Sequence, residues 1–178
     1  MANRYPQEAV LRDGRRLLIR PFSERDATPL HEFFLGLPEE DRRFAWDRIE
    51  DRALVDGWAA NVDYGRVFPL LAFAGPQIVA DMTLHRRERG PLRLTGRIKW
   101  LIEPAYRGAG LGTLLVSHFI GIARANGLRH LTCFLITDLE AEAIRVLKDQ
   151  GFKAYTFPGY GADPDGATHD MTKMIITL

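Results

Sequence analysis

Only one cysteine, Cys133, stands in the chain, so an internal disulfide is excluded. Set in the apolar run Leu131 to Ile136, it reads as a buried structural thiol, and no neighbouring base marks it as a nucleophile. No run approaches the ~20 apolar residues of a membrane span, and the opening Met1-Ala2-Asn3-Arg4-Tyr5-Pro6 lacks the apolar stretch of a signal peptide. A soluble, cytoplasmic protein without a membrane partner is expected. An excess of one charge is missing too: 24 basic against 23 acidic residues leave a formal +1, which gives no basic field for nucleic acid. No repeat, low-complexity segment or interdomain linker breaks the chain, and no metal is expected. With 178 residues, 46% hydrophobic and 26% charged, residues 1–178 are expected to bury one core as a single domain.

What is there is concentrated in Ile102-Glu103-Pro104-Ala105-Tyr106-Arg107-Gly108-Ala109-Gly110-Leu111-Gly112-Thr113. Ile98, Trp100 and Ile102 alternate as a strand does, and Pro104, which has no N–H to give a ladder, ends it. Leu111, Leu114, Leu115, Phe119 and Ile122 recur at helical spacing, and Asn126-Gly127 supplies a left-handed stop. The helix therefore begins inside the glycine segment. Its first amides have no intrahelical partners, lie at the positive end of the helix dipole and are approachable through glycines, so a phosphate fits there. A Walker loop is excluded because no Lys follows Gly112. A dinucleotide fingerprint is excluded because Gly108, Gly110 and Gly112 are spaced two apart. A merely structural glycine turn remains the alternative on these residues alone.

Arg107-x-x-Gly110-x-Gly112 matches the Q/R-x-x-G-x-G/A signature of the GNAT superfamily of acyl-CoA-dependent N-acyltransferases, and Ile102-x-Pro104-x-Tyr106 resembles its lead-in. Ala143-Ile144, Val146-Leu147 and Gly151-Phe152 resemble the family's second motif. Leu11-Arg12-Asp13-Gly14 through Ile19-Arg20-Pro21-Phe22, with Glu24-Arg25-Asp26-Ala27, resembles its opening strand and first helix, most closely in the GNAT domains of bacterial protein-lysine acetyltransferases. The resemblance implies an α/β (α+β) fold of the GNAT type, a mixed, mostly antiparallel sheet with helices on both faces. It implies acetyl-CoA, or another acyl-CoA, as co-substrate. Trp100, Leu101 and Ile102 would grip the pantetheine arm and thioester through their backbone, and Arg107, Gly108, Ala109, Gly110, Leu111, Gly112 and Thr113 would form the pyrophosphate turn. The side chain of Trp100 reads as a core aromatic. The acceptor would be a small-molecule amine or a protein lysine, and the resemblance leaves a homodimer open.

Acid and base groups depart from the family's pattern. The second motif's Tyr, which protonates the leaving thiolate in many relatives, is Leu147 here, and its leading Asn is Glu140. Glu140 has a local reading, since Thr137-Asp138-Leu139-Glu140 fits a capping box. Glu103, Asp81, His85, His169 and Tyr160 are the remaining catalytic candidates, Glu103 and Tyr160 foremost. Two functions stay open: an N-acetyltransferase working by positioning and oxyanion stabilisation, and a non-catalytic acyl-CoA sensor. Arg86, Arg87, Arg89, Arg93 and Arg97 read as a solvated face, or else as a contact for the coenzyme's distal phosphate or an acidic acceptor. Aspartates 163, 165 and 170 and Glu39-Glu40-Asp41 are solvated acids or an attraction for a cationic amine.

Along the chain the pattern predicts a strand at Arg15 to Arg20 and a helix from Ser23 or Asp26 to about Leu35. More helix is expected between Pro38 and Asn61, broken near Asp51, then a hairpin of Val67 to Ala74 and Gln77 to His85 about Gly75-Pro76. Arg93 to Ile102 and His130 to Thr137 read as strands flanking the glycine-turn helix. Leu139 to Gln150 reads as a helix with Leu139, Ala143, Val146 and Leu147 on its apolar face. Strands near Phe152 to Phe157 and His169 to Thr177 follow, with a loop from Pro158 to Gly166 between them.

Overall fold

The computed structural model describes residues 4–178; Met1–Asn3, within the expected domain and the opening segment, lie outside the described residues. Eight strands hydrogen-bond in the order β1-β2-β3-β4-β5-β6-β8-β7. They are β1 Gln7–Val10, β2 Arg16–Pro21, β3 Val67–Ala74, β4 Gln77–His85, β5 Thr95–Ile102, β6 His130–Ile136, β7 Lys153–Ala162 and β8 Thr168–Thr177. Among the described residues five α-helices accompany them: α1 Ala27–Gly36, α2 Glu39–Arg43, α3 Arg52–Ala60, α4 Leu111–Ala125 and α5 Ala141–Asp149. Most of the sheet is antiparallel, and β5 and β6 pair in parallel through Thr95–His130, Gly96–Leu131 and Arg97–Thr132. The expected mixed, mostly antiparallel α/β architecture is therefore present.

The chain divides into two compact units, one running to Thr83 and including Trp100–Leu111, the other comprising Leu84–Lys99 and Gly112–Leu178. In the first, α1 and α3 pack their apolar residues on the sheet: Phe22, Leu30, Phe34, Val55, Leu71 and Phe73 belong to one buried cluster. A one-turn 3-10 helix, Glu24–Asp26, leads into α1 and is closed by Asp26, whose Oδ2 accepts from the Ser23 amide at 2.8 Å and the Ser23 hydroxyl at 2.7 Å. Asp51 starts α3 by accepting from the Ala53 amide at 3.0 Å, so the break expected near Asp51 is a helix cap. The hairpin about Gly75-Pro76 has the predicted bounds.

In the second unit Leu84, Ile98, Leu115, Phe119, Leu131, Leu147 and Met174 are buried. A Cβ on Gly96 would lie 2.6 to 2.9 Å from methyls of Leu84, Leu128 and Leu131, so glycine is what lets these side chains converge where β5 meets β6. α4 ends as expected, with Gly127 at φ 68°.

Four expectations change. β1 is an additional strand, joined to β2 through Asp13-Gly14. The predicted loop Pro158–Gly166 is strand as far as Ala162, because β7 keeps pairing with β8 across a register shift between Phe157 and Gly161. The turn proper is held by Asp163, which accepts from the amides of Asp165 and Ala167 at 2.9 Å each. The last helix starts at Ala141 rather than Leu139, and Leu139 is exposed instead of lining an apolar face. The capping box also takes another form: the Glu140 carboxylate reaches back to the Ile136 amide at 2.6 Å, while the Thr137 hydroxyl pairs with that of Thr172 at 2.9 Å.

Candidate coenzyme site

β5 leads through Glu103 into a one-turn 3-10 helix, Pro104–Tyr106, and Gly108 and Gly110 then turn the chain at φ 70° and 94° into α4 at Leu111. Those positive φ values favour glycine, and they turn the chain into the helix within the four residues Gly108 to Leu111. Arg107 fixes the turn. Its Nε and Nη2 donate to the Ile102 carbonyl at 3.0 and 2.9 Å, and Nη2 also pairs with Asp41 of α2. The Glu103 amide donates to the Val79 carbonyl at 3.0 Å and so anchors the strand's exit.

The hairpin tip between β1 and β2 lies against the same turn. The Arg12 amide donates to the Ala109 carbonyl at 3.1 Å, and the Arg12 Nε lies 3.2 Å from where a Cβ on Gly110 would stand. Arg15, paired with Asp13 at 2.6 Å, sits with its guanidinium 4.0 Å from the centre of the Tyr106 ring. The hydrogen bonds from Arg15 hold the exposed Asp13 carboxyl below its usual range. The open backbone at Gly108, the N-terminal amides of a helix and the adjacent Arg12 guanidinium are a donor set suited to phosphate.

Of the residues expected here, Trp100 is only part-buried and stands outside the buried core, contrary to its reading as a core aromatic. Ile102, Ala109 and Leu111 are buried, and Gly108 is exposed. Arg107, read from sequence as part of the pyrophosphate turn, spends its guanidinium on Ile102 and Asp41. The sequence reading missed the hairpin tip, although Asp-Gly between two extended runs is a hairpin signal. It also missed the Asp41–Arg107 pair, for which no local signal exists.

The catalytic candidates stand on different elements. Glu103 is part-buried at the end of β5. Tyr160 is 70% exposed on β7 and packs its ring 5.7 Å from that of Phe157. His169, near the start of β8, lies 3.8 Å from Asp138 through Nδ1 and 3.8 Å from Asp163 through Nε2. Asp81 and His85 are part-buried on β4. Leu147 is fully buried. Cys133 is buried as expected, and burial, reinforced by the Glu140 carboxylate, pushes its thiol far above the usual range. Of the six acids read as solvated or as an attraction for an amine, three have structural partners: Asp41 pairs with Arg107, Asp163 holds its turn, and Asp170 accepts from the Gly159 amide at 2.8 Å. In the arginine cluster, Arg86 reaches Asn126 at 3.4 Å. Among the described residues no group of His, Cys, Asp and Glu is placed to hold a metal, and no helix is long and apolar enough to cross a membrane.

The fold matches the GNAT domain of Streptomyces lividans PAT with a TM-score of 0.79 at 22% identity, over 97% of each chain. It matches YncA, a putative acetyltransferase from Salmonella typhimurium solved with its cofactor acetyl-CoA, with a TM-score of 0.77 at 22% identity, over 91% of this chain and 94% of that one. In sequence, the chain is 27% identical to acetyltransferase PA5475 of Pseudomonas aeruginosa, over 93% of this chain and 87% of that protein. The family model described as Acetyltransferase (GNAT) domain matches residues 16–153. The chain belongs to the GNAT acetyltransferase family.

Proposed function

We propose that this protein transfers an acetyl group from acetyl-CoA to a primary amine, carried by a small molecule or a protein lysine, by direct attack of the amine on the thioester. The observation that carries this reading is the turn of Gly108 and Gly110 between β5 and α4, which presents helix-end amides where a pyrophosphate can be met. The solved relative holding acetyl-CoA supports the choice of coenzyme. When bound, the thioester supplies an activated carbonyl and a thiolate leaving group. The chain's part is to place it: the backbone of Trp100, Leu101 and Ile102 orients the arm, and the residues from Arg107 to Thr113 hold the phosphates. Positioning of this kind supplies up to ~7–11 kcal/mol of the barrier. The two compact units act as one acyltransferase domain in this reading, as the match of the family model across both supports.

Leu147 gives a second reading its footing. A fully buried leucine at the second motif's tyrosine position offers no proton, and a sensor that binds acetyl-CoA without turnover needs none. Calorimetry with acetyl-CoA, followed by thiol release over a panel of amines and lysine peptides, separates the two. Binding with thiol release for at least one acceptor is expected. Binding with no release for any acceptor favours the sensor, and no binding removes both.

A further inference from the structure

We propose that Arg12, at the tip of the β1–β2 hairpin and outside the glycine motif, is a ligand for the pyrophosphate of the coenzyme. The inference rests on the acetyl-CoA reading above. Three arginines surround the turn, and two are committed. Arg15 is paired with Asp13, and Arg107 with Asp41 and the Ile102 carbonyl. Arg12 is exposed and has no ion pair or side-chain hydrogen bond among the described residues. Its backbone is nevertheless fixed, because its amide donates to the Ala109 carbonyl at 3.1 Å. The tip is closed on itself by Leu11 N–H to Arg15 O at 2.9 Å and Gly14 N–H to Leu11 O at 3.0 Å.

The side chain then runs along Gly110, with Nε, Cγ and Cδ at 3.2, 3.6 and 3.7 Å from the position a Cβ there would take. A permanently charged, planar fork with free donors is thus held beside the backbone of the phosphate turn, and such a fork matches two phosphate oxygens at once. Glycine at position 110 has a second purpose in this arrangement: any side chain there would press on the guanidinium. Because the anchor is the Arg12 amide, removing the side chain leaves the hairpin docked.

The test is calorimetry of wild type, Arg12→Ala and Arg12→Lys with three probes: coenzyme A, 3′-dephospho-coenzyme A, and pantetheine, which has no phosphate. Arg12→Ala is expected to weaken the first two about equally, by roughly ten- to hundredfold, the range of hydrogen bonds to charged groups. Pantetheine binding and the melting temperature should not change, and Arg12→Lys should fall between. Unchanged affinity for coenzyme A would overturn the assignment. So would a loss confined to coenzyme A, which would point to the 3′-phosphate, or a loss extending to pantetheine, which would mean the variant had disturbed the turn itself. Failure of the wild type to bind coenzyme A is a different result, removing the acetyl-CoA reading and this assignment with it.

Discussion

At Asp26 two physical effects oppose each other. Burial pushes its carboxyl up, but hydrogen bonds from Arg20 and from the side chain and amide of Ser23 outweigh it, and the carboxyl is held below its usual range. Arg20 grips both carboxylate oxygens, at 2.6 and 2.7 Å, and its guanidinium lies 4.2 Å from the centre of the Phe73 ring. A carboxyl depressed in the folded state stabilises fully above the unfolded value near pH ~4, and that contribution is lost as pH falls through the lower, folded value. Asp26→Asn should therefore lower stability at pH 7 and flatten the acid limb of the melting curve. Breaking a buried ion pair costs ~3–5 kcal/mol, and the low end is expected because Arg20 keeps 18% of its side chain exposed. Urea melts at pH 7 and pH 3.5 check this: an equal loss at both would mean that the pair carries no pH dependence. Only the cap half of this network was legible in the sequence. Ser23-x-x-Asp26 marks a helix start, whereas Arg20 reaches Asp26 through the fold.

At the scale of elements, the glycine turn yields two variants with opposite signatures. Gly112 sits in the first turn of α4, where the helical backbone is one that any residue adopts. Gly112→Asp places a carboxylate at a helix N-terminus, which favours the helix by ~0.3–1 kcal/mol, yet it repels phosphate at the same amides. Acetyl-CoA binding should be lost with an undiminished melting temperature. Gly110→Ala, at φ 94°, forces a non-glycine residue into a left-handed conformation and should cost ~1–3 kcal/mol of stability. Calorimetry and thermal melts on both variants would show the turn to be merely structural if Gly112→Asp bound normally. The glycine turn, the β3–β4 hairpin and α4 were readable because their signals are local: closely spaced glycines, the Gly75-Pro76 break between two apolar runs, and apolar residues at helical spacing. β7 was only half readable, since its residues are almost all exposed, leaving no alternation, and Pro158 and Gly159 read as loop. Its length comes from pairing with β8 instead. β1 is four residues long and carries too little pattern to register. In α5, Ile144 and Leu147 are the buried pair, so Leu147→Ala should cost ~2–5 kcal/mol by chemical denaturation, with little change if the site relaxes around the gap.

In the proposed acetyl transfer a proton must leave the amine and the thiolate must depart, and the placement of the titratable groups limits the routes. Leu147 is sealed in the interior, Cys133 is held as a neutral thiol, Glu140 is engaged by the Ile136 amide, and Asp41 and Asp163 are tied to structural partners. A thiolate of pKa ~8.5 is a tolerable leaving group without an acid, and loss of a general acid or base costs about 10²–10⁴-fold rather than all activity. Turnover should then rise with pH as the acceptor amine loses its proton, and level off. It should not show the falling basic limb near pH ~10 that an essential protonated tyrosine would impose. Leu147→Tyr should not rescue an acid, because a larger ring at a fully buried site overpacks at ~1–3 kcal/mol. Exposed Tyr160 is the control. A bell-shaped profile of kcat/KM whose basic limb disappears in Tyr160→Phe, with binding of acetyl-CoA intact, would replace acid-free departure of the thiolate with proton donation from β7.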